Sequence, residues 1–183
     1  MRCLVPARTT PSRHAALRAT LVLALALAGA QAQAQGRGCA ITTYTDPPRE
    51  VLACPDGLQI SAEKGAEYRL IDRDRDGRAE AVDLRSKGLL IEVAPRRRGG
   101  FQVLTPHAIA SVRGTVWAVD VAAATTAVFV QQGAVAVARS TTPREAAILR
   151  AGDGVDVDAG TGPLQVKRWS AERRLHLLAR FGR

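Results

Sequence analysis

The segment Asp72-Arg-Asp-Arg-Asp-Gly77 holds the most chemically suggestive spacing in the chain. Carboxylates at alternate positions converge on one side of a loop when a glycine at the sixth position lets the backbone reverse, and calcium takes oxygen ligands in that arrangement. Counted from Asp72, the backbone carbonyl of Arg78 falls at the seventh position, Glu80 at the ninth, where a ligand acts through water, and Asp83 at the twelfth, the place of the last acidic ligand. Asp72, Asp74, Asp76, Arg78, Glu80 and Asp83 are therefore the candidate calcium set. Against it, arginines are interleaved, Ala79 stands where a larger aliphatic residue is usual, and the flanks Tyr68–Ile71 and Ala79–Leu84 look like strands. A hairpin turning at Asp76-Gly77 with solvated charges accounts for the same residues without an ion. Both readings stay open, and calcium is the one cofactor the sequence suggests.

Arg96-Arg97-Arg98-Gly99-Gly100 reads as an exposed loop, and its three arginines are the candidate polyanion site for a phosphate or sulfate group. Catalysis finds less support. A nucleophile needs a base and an orienting acid beside it, and outside the N-terminal leader the histidines are His107 and His176 alone, with Ser61 and Ser111 near no evident partner. No catalytic residue is assigned and a non-enzyme is expected.

The start of the chain reads as an export signal. Arg2, Arg8, Arg13 and Arg18 precede the apolar run Ala19–Ala28, and Ala30-Gln31-Ala32 and Ala32-Gln33-Ala34 offer cleavage triplets, so residues 1–34 are read as a signal peptide and the periplasm as the destination. A spanning helix needs roughly 20 apolar residues, so no membrane span is expected after cleavage. Cleavage removes Cys3 and leaves Cys39 and Cys54, which an oxidising compartment would bond. Such a bond, closing a loop of about 15 residues, stabilises by roughly 3 kcal/mol and would pin residues 35–60. The formal charge of +9 falls to +5 when the four leader arginines leave. That basic surface suits anionic envelope polymers. Export, and aromatic residues at only 4%, argue against nucleic acid.

These residues must be positioned by strands. Short apolar alternations recur at Gly65–Ile71, Ala79–Leu84, Leu89–Val93, Phe101–Thr105, Thr115–Val119, Thr126–Val130, Ala134–Ala138, Ala146–Leu149 and Val155–Val157. A glycine opens a strand at Gly57, Gly88, Gly114, Gly133 and Gly154. The expected class is all-β, a solenoid-like or sandwich-like stack of short strands over residues 61–162. Residues 163–183 add a C-terminal helix with Ser170 as N-cap, Glu172 in its first turn, and Leu175, Leu177, Leu178 and Phe181 on its apolar side, capping one open end.

The ordered series Thr105-Pro106, Arg113-Gly114-Thr115, Gly133 before a valine strand and Ala151-Gly152, with Asp83–Val93 upstream, resembles a FecR-type domain. The resemblance implies a periplasmic all-β module like that of iron-transport regulators, whose remaining parts are a cytoplasmic anti-sigma segment, a membrane helix and a domain that meets an outer-membrane transducer. With a signal peptide at one end and a short helix at the other, this chain is expected to act as a binding or assembly module. Its implied partner is a periplasmic or outer-membrane protein or an envelope polymer. The alternatives are a calcium-stabilised polyanion binder and a component of a FecR-type signalling system.

Overall fold

The computed structural model describes residues 38–183; the expected leader, residues 1–34 with Cys3, lies outside the described residues. Strands take up 53% of the described residues and helix 6%, the all-β class expected.

The strands form a curled sheet with two parts. The first part runs β1 (Ala40–Thr45), β2 (Pro48–Ala53), β3 (Leu58–Glu63), β5 (Ala81–Val93), β8 (Val116–Val121), β9 (Thr125–Gln132), β12 (Asp153–Asp158), β13 (Lys167–Arg168). The second runs β4 (Glu67–Ile71), β5, β6 (Phe101–Leu104), β7 (Ala108–Val112), β10 (Ala134–Arg139), β11 (Ala146–Arg150). β5 belongs to both. Its first half pairs with β4 and, in parallel, with β6; its second half pairs with β3 and β8. The sequence suggests a turn at Arg85–Gly88, but the chain passes through as strand, changing course at Lys87, whose φ is 63°. The Lys87 ammonium donates to the Lys64 carbonyl at 2.6 Å.

Side chains alternate across a strand, and this fixes the core. Ile60, Leu89, Ile91, Trp117 and Val128 of the first part meet Leu84, Phe101, Val103 and Leu149 of the second in one buried cluster. The opposite face of the first part is apolar too. Leu90, Ala118 and Phe129 lie there under Trp169, Leu177, Leu178 and Phe181. The helix α1 (Ala171–Ala179) thus covers a sheet face, where an end-cap was expected. Ser170 caps it as anticipated, its hydroxyl accepting from the Arg173 amide at 3.2 Å, and Glu172 lies in the first turn. Leu175 is 64% exposed, outside the apolar side. At 3.6 residues per turn it lies about 160° around the helix from Leu177.

Two glycines are floors for aromatic rings. A Cβ on Gly154 would stand 2.2 Å from Trp169 Nε1, and one on Gly88 would stand 2.9 Å from Phe181 Cζ. Around the rings, Arg180 bonds Asp120 at 2.7 Å and also Glu63, Arg183 bonds Glu92, and Arg173 bonds Asp156 while lying 3.6 Å over the Trp169 ring. No helix of the described residues is long and apolar enough to cross a membrane.

Cys39 and Cys54 are bonded, as expected. The segment they pin is an ordered hairpin, β1 against β2 from Ala40↔Ala53 to Thr45↔Pro48, continuing into β3.

Candidate functional site: the carboxylate turn and the adjoining groove

Residues 72–80 link β4 to β5, and their carboxylates mostly serve the turn itself. Asp72 accepts from the Gly77 amide at 2.9 Å, Asp74 from the Asp76 amide at 3.1 Å, and Glu80 from the Arg73 amide at 3.0 Å. Asp76 accepts from the Arg78 amide at 2.8 Å and from its guanidinium at 2.9 Å. These two bonds, the amide first, hold the Asp76 carboxyl below its ordinary range.

Of the five candidate carboxylates, three converge. Asp72, Asp74 and Glu80 each offer an oxygen, and these lie within 4.8 Å of one another. Asp72 Oδ1 is buried without a hydrogen-bond partner. Asp76 is turned to Arg78. Asp83 stands away from the group, bonded to Arg85 at 2.7 Å and 3.8 Å from Arg69. β5 begins at Ala81, so its extended backbone carries position twelve out of the turn, and Glu80 at position nine takes the inner place.

The arginine run divides in the same way. Arg96 and Arg98 are exposed. Arg97 is withdrawn from the surface, its side chain 3% exposed. Its guanidinium bonds Asp56 at 2.9 Å, donates to the Gly100 carbonyl at 3.3 Å and to that of Ala79, and lies 5.5 Å from the Phe101 ring centroid. An arginine satisfied on every side ties two loops together.

His107 belongs to a turn. Its Nδ1 lies 3.1 Å from the Thr126 hydroxyl, and the Thr105 hydroxyl accepts from the amides of His107 and Ala108. Thr115 donates to the carbonyls of Arg113 or Ala134, each at 3.1 Å. The motif threonines therefore hold loops in place. Arg139, unremarked in the sequence, is buried and bonds Asp158 and the Gly162 carbonyl, holding the Asp158 carboxyl below its ordinary range. Its signal was its phase: it shares the inward parity of Val135 and Val137.

Beside the turn, the exposed face of the second part holds a groove of about 540 Å³. Its floor is one row across four strands, Gln102↔Ser111↔Ala136↔Ile148. Gln102 donates to Ser111 at 3.2 Å, and Ile148 is 56% exposed. Arg73 and Glu80 of the turn and Arg113 form its walls.

A family model described as FecR protein matches residues 41–136, from β1 into β10. No curated protein matches the chain. Two crystal structures of a candidate anti-sigma factor from Parabacteroides distasonis share the fold. One has a TM-score of 0.58 at 19% identity, the other 0.57 at 18%, each covering 76% of this chain. The chain spans 64% of the length of that protein.

Proposed function

From the premise that the chain belongs to the FecR protein family, whose model spans more than half of it, we propose that it is a periplasmic module of a FecR-type envelope system that acts by binding a protein. It carries out no chemistry of its own in this reading. The observation that carries it is the division of the two outer faces. The chain's own helix covers one, while the other leaves the Gln102–Ile148 row open between Arg73 and Arg113. Arginine, which rims this face, is among the residues enriched at protein interfaces. The disulfide agrees with an oxidising compartment. The anti-sigma description of the similar structures favours signalling over polymer assembly.

A photo-crosslinking residue placed at Gln102 or at Ile148 is expected to give a discrete adduct with an envelope protein. The same residue at Leu175, exposed on the helix, is the control. Groove positions that give no adduct beyond the control overturn the reading.

The buried, unpartnered Asp72 Oδ1 favours a second, compatible reading, in which Asp72, Asp74 and Glu80 hold calcium and stabilise the turn that walls the groove. Binding to the folded state alone, at a hundred times the dissociation constant, adds about 2.7 kcal/mol. Thermal melts with excess calcium and with chelator should therefore differ for wild type and coincide for Asp72→Asn. A wild type that melts identically in both leaves the carboxylates as turn residues only.

A further inference from the structure

Among the described residues, four strands bound the two parts of the sheet: β1 and β13 the first, β4 and β11 the second. An edge strand presents unpaired N–H and C=O groups, and proteins blunt such edges with charge, bulges, proline or extreme shortness. Three of these edges are blunted. β4 carries Glu67 and Arg69 and a register shift between Glu67 and Tyr68. β11 ends in Arg150 and follows Arg144-Glu145. β13 is two residues long and both are basic.

Within its own six residues β1 has none of these devices, although Asp46-Pro47 follows it. Ala40-Ile-Thr-Thr-Tyr-Thr45 contains no charge, proline or glycine, all six residues are exposed, and its register against β2 is unbroken. β-branched and aromatic residues are those that favour strands. The Cys39–Cys54 bond clamps its start. A partner would meet a template already ordered, which lowers the entropic cost of binding.

Beside this edge is a cavity of about 410 Å³, lined by Thr43, Tyr44, Thr45, Pro48, Lys64 and Tyr68 among others. Tyr44 and Tyr68 are the chain's two tyrosines. Register places Thr43 opposite Glu50 and Glu50 opposite the buried Ala62, and residues opposite one another share a face. Side chains of a strand laid outside β1, opposite Thr43 and Thr45, therefore face the cavity. Burial, and then the Glu50 carboxylate, push the Tyr68 phenol up, so it stays a neutral hydroxyl.

We propose that β1 takes up an extended peptide segment of a partner protein by strand addition, with one aromatic or aliphatic side chain entering the cavity beside Tyr68 and the next, on the opposite face, lying against Tyr44. Main-chain hydrogen bonds along the edge supply affinity, and the cavity selects the side chain. Pro48, Ala62, Ala66 and Tyr68 give the cavity its apolar lining, and Glu50 and Lys64 are among its charged members. This mode rests on the protein-binding reading but uses a surface other than the groove, so crosslinks at Gln102 and variants of β1 report on the two separately.

The test selects a phage-displayed random peptide library on the purified protein and titrates the selected peptide, as a synthetic molecule, against wild type, Thr43→Lys, Tyr44→Ser and Gln102→Lys. The selected sequences should be rich in Val, Ile, Thr and aromatics, and their backbone contacts should perturb the amide signals of residues 40–45. An edge lysine should weaken binding by about tenfold or more. Tyr44→Ser should weaken it in a protein whose edge is intact, and Gln102→Lys should leave it unchanged. The proposal is overturned if no peptide is selected, or if Thr43→Lys and Tyr44→Ser both bind as wild type does. It also falls if the protein dimerises through β1 and Thr43→Lys abolishes the dimer, which would assign the edge to a second copy.

Discussion

Arg97→Ala is expected to cost about 3–5 kcal/mol, the range for breaking a buried ion pair by removing one partner. A typical domain has only about 5–15 kcal/mol in total. The Arg97 side chain is 3% exposed and that of Asp56 15%, so the pair stands largely out of water. Truncation leaves the Asp56 carboxylate with the Leu58 amide alone, and the Ala79 carbonyl loses its arginine donor. The loop before β6 is released from the turn before β3. Arg97→Lys should recover only part of the loss, because one ammonium cannot reproduce a planar fork bonded to three acceptors. Urea unfolding of the three proteins measures this as a shift in midpoint at constant slope. A loss below about 1 kcal/mol would be the value of an exposed pair and would contradict the structural role. Because the residues are in contact, Asp56→Ala combined with Arg97→Ala should cost less than the sum of the single changes.

Gly154→Ala should act on the other face. The new Cβ would stand 2.2 Å from Trp169 Nε1, so the indole must leave its place over β12. Trp169 is 6% exposed and stacks on Phe129 with centroids 5.3 Å apart, and Arg173 lies over its other side. Displacement forfeits most of a buried aromatic side chain, roughly 3–5 kcal/mol by analogy with its truncation. It also loosens Leu177, Leu178 and Phe181 on Leu90 and Ala118. In a Trp117→Phe background, Trp169 is the sole indole, and its emission should shift to the red in the Gly154→Ala protein. Unchanged emission would mean that the ring tolerates the methyl group and that Gly154 has no docking role.

The strands after Gly57 are legible because valine, alanine and leucine alternate with polar residues there, and a half-buried strand writes that period into the chain. β1 and β2 are hidden by Asp46-Pro47-Pro48 and the charged Arg49-Glu50, which interrupt the alternation although the hairpin is regular. β5 reads as two strands in the sequence because Arg85, Lys87 and Gly88 look like a turn, whereas one positive φ suffices to hand the strand from one part of the sheet to the other. Within the site, spacing alone brings out Asp72, Asp74 and Glu80. What removes Asp83 is where β5 begins, and what removes Arg97 is Asp56, distant in sequence. Neither is local information. The groove has no linear signature, since each of four strands contributes one residue to its floor.

β5, threaded through both parts of the sheet, also governs how the fold opens. Proteins open locally in cooperative units whose free energies range from near zero to that of global unfolding. Here neither part can dissolve as a unit of its own, because releasing β5 from β3 and β8 removes the anchor of β4 and β6 on the same chain segment. The amides of β5 should therefore exchange with solvent only through complete unfolding, while the rim strands fray independently. Occupancy of the β1 edge or of the groove would then slow the same global event, so that two surfaces with no contact between them draw on one shared reservoir of stability.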